Sequence, residues 1–280
     1  MHKYKLTVVK DGPLLRALGL SLPLLPGTAI RDALKRRDIR VNDARVDSNV
    51  KVKPGDRVVL YTPVPMKDIP VLFEDGDCLV ASKPAGVNSD ENTHSAFSML
   101  SWARGRAGGG AETALVHRLD NQTSGLMVIA KTARAEALLT QAFKQGQVHK
   151  QYACLVKGSP RPAGATLNAW LCKDAQAGKV VIQDTETPGG KRITTGYETL
   201  EAGAVSKLLV TLHTGRTHQI RAHLAYLGHP VLGDEVYGDR AFNRLRNARA
   251  LKLCAVRLGF DKACALEGLA GRVFEIAAPF

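Results

Sequence analysis

The stretch "ALVHRLDNQTSGLMVIAKT", residues 114–132, sets His117, Arg118 and Asp120 together between two apolar runs. Thr123-Ser124-Gly125 reads as a turn, and Leu126 to Ala130 as a buried strand. A carboxylate beside a guanidinium stays ionised at neutral pH. An ionised aspartate can act as a nucleophile on a substrate held against it. The plainer account is an aspartate that caps a turn and pairs with its arginine neighbour. A second cluster is "LHTGRTHQIRAHLAYLGHPVLGDEVYG", residues 212–238. Its pattern predicts a helix from Arg216 to Leu227 with Ile220, Leu224 and Leu227 on one stripe. Arg221 sits at the flank of that stripe, where it can reach over a sheet toward another loop or snorkel to solvent. His229-Pro230 and Gly233-Asp234 read as turns. A third candidate is Tyr152, at the start of a predicted strand "KQYACLV". A strand tyrosine is a packing residue or, at the edge of a nucleic-acid cleft, a stacking platform for a base.

Other chemistries find no support. His213, His218 and His223 are spaced by five, which does not stack them on one helical face, and there is no His-Glu-x-x-His or Cys-x-x-Cys. Zinc is therefore not expected. The Gly-Lys of "PGGKR" lacks the rest of a P-loop, no Gly-x-Gly-x-x-Gly opens a helix, and no Gly-x-Ser-x-Gly elbow is present. Hydrolysis by paired carboxylates would need a second placed acid, which is not evident beside Asp120. What remains is a carboxylate site with no cofactor.

The 280 residues carry a formal charge of +13, which favours a polyanionic partner, either nucleic acid or an acidic membrane surface. No apolar run is long enough to span a membrane. The N-terminus alternates and has no signal-peptide core, and the five cysteines are scattered. A cytoplasmic protein is the expectation.

The elements that must position these residues fall in two units. The prolines of "YTPVPMKDIP" mark a break, read as a linker over 63–68. Residues 1–62 hold 13 Lys and Arg against 6 Asp, a net of +7. Within them a helix starts at Gly27 or Thr28. It buries Ile30, Ala33 and Leu34 and turns Arg31, Lys35, Arg36 and Arg37 to solvent. A strand Ile39–Val41 containing Arg40, a turn at Asn42-Asp43 and a strand Arg57–Tyr61 follow. Residues 69–280 read as hairpins with helices between them. Among these are a strand pair around Asp75-Gly76 and a helix from Ala133 to Gln145 stopped by Gly146. Leu138, Leu139, Ala142 and Phe143 face inward on that helix, and "GRAGGGAE" reads as a surface loop. The class is α+β.

The motifs in their order, His117-Arg118-Leu119-Asp120-x-x-Thr-Ser-Gly-Leu, Lys150-x-Tyr152, Gly215-Arg216-Thr217-His218-Gln219-Ile220-Arg221-x-His223 and Gly-His-Pro-x-x-Gly-Asp, resemble the RluA family of pseudouridine synthases. "KPAG" at 83–86 fits the same pattern. The resemblance runs from about residue 69 to the C-terminus. It implies a central mixed, largely antiparallel sheet with a cleft across it, and conversion of uridine to pseudouridine in ribosomal or transfer RNA. It also implies a catalytic Asp120, a Tyr152 packed on the target uracil, an Arg221 that pairs with and orients the aspartate, and no cofactor. Arg118 would hold the RNA around a flipped nucleotide, with Arg216 also touching RNA. A monomer is the family default. Residues 11–62 resemble the S4 RNA-binding domain, which makes Arg31, Lys35, Arg36, Arg37 and Arg40 RNA contacts. This unit departs from its pattern at the first helix and has Asn-Asp-Ala at the turn. "KPAGVNSDENT" lacks the Val-His-Pro ending common after that loop, His94 coming later, and is read as a changed loop near the cleft rim. The competing function is a non-catalytic RNA-binding or ribosome-assembly factor.

Overall fold

The computed structural model describes residues 1–91, 97–106 and 112–280; His94 and most of the Gly-rich loop lie outside these. The first unit comprises β1 (His2–Thr7), β2 (Gly12–Pro13), α1 (Leu14–Ser21), α2 (Gly27–Lys35), β3 (Ile39–Val41), β4 (Ala44–Val46), β5 (Lys51–Val52) and β6 (Arg57–Thr62). A four-stranded sheet in the order β1-β6-β3-β4 packs against the two helices. The β3–β4 hairpin turns on Asn42 and Asp43, both left-handed (φ 48° and 69°). A two-residue hairpin loop that follows the strand twist needs positive φ at both positions, and Asn and Asp tolerate it best after Gly. Ala29, Ile30, Ala33 and Leu34 of α2 are buried, as the 3.6-residue pattern requires.

The segment between the units is fastened to the first. The Met66 amide donates to the Tyr4 hydroxyl (2.9 Å) and the Lys67 amide to the Leu24 carbonyl (3.1 Å). Met66 packs on the cores of both units.

The second unit comprises β7 (Val71–Glu74), β8 (Cys78–Lys83), α3 (Met99–Arg106), β9 (Ala114–Leu115), β10 (Ser124–Ala130), α4 (Ala133–Lys144), β11 (Val148–Lys157), β12 (Gly164–Asp174), β13 (Lys179–Gln183), β14 (Lys191–Glu201), β15 (Val205–Leu212), α5 (Gln219–Tyr226), α6 (Arg240–Leu245), β16 (Leu253–Phe260) and β17 (Val273–Glu275). One sheet runs β13-β12-β14-β15-β11-β16-β10-β8-β7, with β17 on β16 and β9 on β10. The β10–β16 ladder is parallel and the others are antiparallel. Strands β8 and β10 read as continuous apolar runs because both faces are covered. Leu79, Ala81, Met127 and Ile129 face one core, while Cys78, Val80, Leu126, Val128 and Ala130 face another that includes Leu139 and Ala142 of α4. Thr132 caps α4 by accepting from the Ala135 amide.

Three sequence expectations shift. The turn lies at Asp120–Thr123, where the Thr123 amide donates to the Asp120 carbonyl (3.1 Å), and Ser124 already belongs to β10. The helix expected from Arg216 begins at Gln219, because His218 is left-handed (φ 55°). The strand carrying Tyr152 begins at Val148 rather than near Lys150. Among the described residues no helix is long and apolar enough to cross a membrane.

Candidate active site

Asp120 sits just before β10 on a loop pinned on both sides. Before it, the Leu119 amide donates to Ser89 Oγ (3.0 Å), and that hydroxyl donates to the Leu119 carbonyl (2.7 Å). After it, the Asn121 carbonyl accepts from the Gly86 amide (2.8 Å) and from Lys83 Nζ (2.9 Å). The Asn121 amide group donates to the Gly86 carbonyl and to Asn88 Oδ1. The segment from Lys83 to Ser89, read from sequence as a loop near the rim, is thus the bracket beneath the aspartate. Lys83 is fully buried and donates to three carbonyls, of Pro84, Val87 and Asn121. Burial pulls its ammonium down to about 7, partly opposed by the Asp120 charge.

Gly125 fixes how closely β10 approaches β16. Its φ is +114°, and a Cβ there would collide with the Ala255 backbone. Gly233 does the same beside the second carboxylate: its φ is +78°, and a Cβ there would collide with the Ala250 carbonyl. Both glycines are demanded by sterics, one shortly after Asp120 and one next to Asp234.

Arg221 is buried, not snorkelling. Its Nε and Nη2 form a bidentate pair with Asp234 (2.7 and 2.9 Å), and its Nη1 donates to Asp120 Oδ2 (3.1 Å). Asp234 is legible in the sequence only as a turn residue, yet its side chain is completely buried. It also accepts from the Val236 and Tyr237 amides. Burial pushes its carboxyl up, but the Arg221 and backbone donors outweigh that and hold it below the usual range. The planar fork of an arginine suits this bridging between two acids. The Arg221 guanidinium also lies 5.3 Å from the centre of the Tyr237 ring. Loop 213–218 is held by the Gln219 side chain, whose Oε1 accepts from Thr214 Oγ1 and from the Arg216 amide.

A cleft of about 730 Å³ opens above Asp120, lined by residues of the 116–123 loop, the end of α4, β11, the end of β15 and the 213–221 segment. Tyr152 lines it and is otherwise buried. A register shift against β16 between Gln151 and Tyr152 sets its direction; such bulges re-aim side chains beside sites. Burial, then the Asp120 charge, raises its phenol, so it stays protonated. His117 is not a cation. Its Nε2 accepts from the Val128 amide (3.0 Å), its ring packs on Phe143, and burial with nearby Lys150 takes it down to about 3.

Arg118 and Arg216 are exposed on the cleft wall, joined by exposed Lys144 and half-buried Lys150, which the sequence motifs do not single out as RNA contacts. None of these four has an ion pair among the described residues. Lys150 stands over Phe143 at 5.4 Å. The basic residues of the first unit are not brought to this cleft. Arg31, Lys35, Arg36 and Arg37 are exposed; Arg36 pairs with Asp38 and Arg37 with Asp47 on the surface. Arg40 faces Arg45 across β3–β4.

Residues 77–226 match the RNA pseudouridylate synthase family. The chain is 31% identical to an uncharacterized RNA pseudouridine synthase of Bacillus subtilis, YhcT, over 90% of this chain and 84% of that one. It is 30% identical to the ribosomal large subunit pseudouridine synthase C of Escherichia coli, over 79% and 74%. It superposes on the solved structure of human RNA pseudouridylate synthase domain containing 1 with a TM-score of 0.62 and 26% identity, covering 79% of this chain and 86% of that one. The chain belongs to the RNA pseudouridylate synthases of the RluA type, and is an RNA-modifying isomerase.

Proposed function

We propose that Asp120 is the catalytic carboxylate of this pseudouridine synthase and that Arg221, clamped by Asp234, orients it. The observation that carries this reading is the one-sided holding of the carboxylate. Oδ2 is taken by Arg221, while Oδ1 has no hydrogen bond among the described residues. One oxygen is fixed and the other is left for substrate. The reaction breaks the N1–C1′ bond, turns the uracil in place and joins C5 to C1′; C5 loses its proton and N1 gains one, with no net redox change. Tyr152 supplies an aromatic wall for the base, and a protonated phenol in contact with a pyrimidine suits that role. Arg118 and Arg216, with Lys144 and Lys150, bind the flanking phosphates and help offset the few kcal/mol of unstacking that a flipped base costs.

The substrate in this reading is ribosomal or transfer RNA in the cytoplasm, met by a monomer. Residues 1–62 act as an S4-like RNA-binding domain joined through 63–68 to the catalytic domain 69–280. The support is the basic face of that unit, above all Arg40 and Arg45 placed opposite each other; like charges across a ladder destabilise unless an anion lies between them. Pseudouridine mapping of ribosomal and transfer RNA from wild type, a deletion strain, and the deletion complemented with Asp120→Asn tests the assignment. Sites that vanish on deletion and stay absent with the variant are expected. Sites restored by the variant would refute the role of Asp120.

A further inference from the structure

His218 stands next to this machinery and has no part in the proposed reaction. It occupies the left-handed region (φ 55°), which is costly for a side chain of this kind and points to a local requirement. The conformation is held from both sides: Gln219 grips the preceding loop through Thr214 and the Arg216 amide, and the His218 carbonyl accepts from the Ala222 amide (2.9 Å). The consequence is that the imidazole turns into the cleft. Its Nε2 lies 3.7 Å from Asp120 Oδ2, the same oxygen that Arg221 holds.

The other ring nitrogen decides what Nε2 presents. His218 Nδ1 is 3.0 Å from the Tyr237 hydroxyl. That hydroxyl already accepts from the Val180 amide (3.0 Å), and burial raises its phenol, so it keeps its proton. A hydroxyl whose oxygen takes an N–H on one side has its own proton to give on the other. With Tyr237 donating to Nδ1, the neutral imidazole carries its hydrogen on Nε2, aimed at Asp120. Burial holds the ring below its ordinary range, with Arg221 and Arg118 in the same sense and Asp120 and Asp234 opposed, so the neutral form is the one to consider at pH 7. The Tyr237 ring meets the imidazole edge-on at 5.6 Å and is itself faced by Arg221.

We infer that His218 is a positioning residue for Asp120, with Tyr237 fixing its tautomer so that its Nε2–H and the Arg221 guanidinium together hold Oδ2 and leave Oδ1 directed at the substrate. This rests on Asp120 being the reacting carboxylate. At 3.7 Å the separation is longer than a hydrogen bond; catalytic hydrogen bonds are often long without substrate and tighten with it. The opposite tautomer would set a lone pair against the carboxylate, so Tyr237 is as much part of the device as the imidazole.

The test is single-turnover kinetics on RNA isolated from the deletion strain, read at a uridine that mapping assigns to this enzyme. Asparagine tolerates the left-handed backbone but is too short to place a donor at the Nε2 position; glutamine reaches it. His218→Asn is expected to lower the rate at saturating enzyme about ten- to a hundredfold, the scale of one hydrogen bond to a charged group, with RNA affinity changed less than about threefold. His218→Gln is expected to recover a good part of that loss, and Tyr237→Phe to fall between them. Thermal melting of each variant is followed in parallel. An Asn variant within twofold of wild type, or equal losses in the Asn and Gln variants, overturns the inference. Asp120→Asn is run in the same series: turnover in that variant overturns the reading of Asp120 itself, whereas a dead Asp120→Asn beside a normal His218→Asn overturns only the role of His218.

Discussion

Arg221→Met removes the cation that joins two acids and leaves Asp234 with only the Val236 and Tyr237 amides, in a position with no exposed side-chain surface. Breaking a buried ion pair by deleting one member costs roughly 3–5 kcal/mol, because an uncompensated charge stays inside. For a chain of 280 residues that lowers Tm by roughly 6–10 °C, at the ~2 °C per kcal/mol expected for this size. Asp234→Asn alone is also destabilising. Its Oδ1 can still accept both backbone amides, but its amide nitrogen would meet the Arg221 Nε–H, donor against donor. In the double variant, Arg221→Met with Asp234→Asn, the buried charge is gone and the backbone amides keep their acceptor, so about 2 kcal/mol of the loss should return. Turnover should not return, since the guanidinium that holds Asp120 Oδ2 is gone and His218, at 3.7 Å, is left without it. Urea unfolding and pseudouridine formation on the same four proteins separate the two roles. A single Met variant that costs under ~1 kcal/mol would show that the pair is not electrostatically buried. A double variant that regains activity along with stability would show that Arg221 supports the fold and does not orient the aspartate.

Lys83 offers a test in pH. Its folded value of about 7 lies below its ordinary 10.5, so between those values the unfolded chain binds the proton and the folded chain does not. Stability from this group therefore rises with pH from about 7 to 10.5, by at most ~1.4 kcal/mol per unit. Wild-type unfolding free energy minus that of Lys83→Met should grow between about pH 7 and 9; a constant difference would mean that the ammonium enters the fold without penalty. Arg118→Ala and Lys150→Ala should each weaken RNA binding and flatten log K against log salt by about 0.7–0.9 for each phosphate no longer neutralised, read by filter binding; an unchanged slope assigns that side chain elsewhere. Replacing Arg31, Lys35 and Arg40 by Gln should reduce the same slope while melting stays within about 2 °C, and an unaltered slope would remove RNA binding from the first unit.

Much of the architecture was legible because its signals are local. The α2 stripe of Ile30, Ala33 and Leu34, the Asn42-Asp43 hairpin, the Ala133-to-Gln145 helix stopped by Gly146 and the apolar run of β10 each follow from spacing and turn chemistry close in sequence. The motif order around Asp120, Tyr152 and Arg221 was legible as well. What was not legible depends on interactions over long separations. Gly233-Asp234 carries a sufficient explanation as a turn until Arg221, thirteen residues back, is seen inside its reach. Lys83 looks like a surface lysine in a Lys-Pro-Ala-Gly loop until the Asn121 carbonyl closes over it from 38 residues away. His117 looks like a cation until the Val128 amide takes its lone pair. The start of α5 is misplaced by periodicity for a related reason. The apolar stripe begins only at Ile220, so spacing does not fix the first turn; the Gln219 side chain takes the Arg216 amide, and His218 leaves the helical region.

The arrangement of charge also narrows what the cleft can accept. Arg221 with Asp120 and Asp234 makes a floor of net charge −1, while Arg118, Lys144, Lys150 and Arg216 stand around it without acidic partners among the described residues. A phosphate driven to the floor would meet Asp120 and be repelled, and one at the wall finds unpaired cations. The apolar surfaces near the floor, Tyr152, Ile220 and Leu253, favour a flat uncharged group there. A neutral ring carried between two phosphates satisfies all three conditions, and a free nucleobase satisfies only the last. The enzyme then selects a nucleotide within a chain through field and shape before any sequence is read. An abasic RNA should bind nearly as tightly as the intact one with the same salt slope, whereas free uridine should not compete at millimolar concentration. Competition by free uridine would place the binding energy at the floor and refute this division of labour.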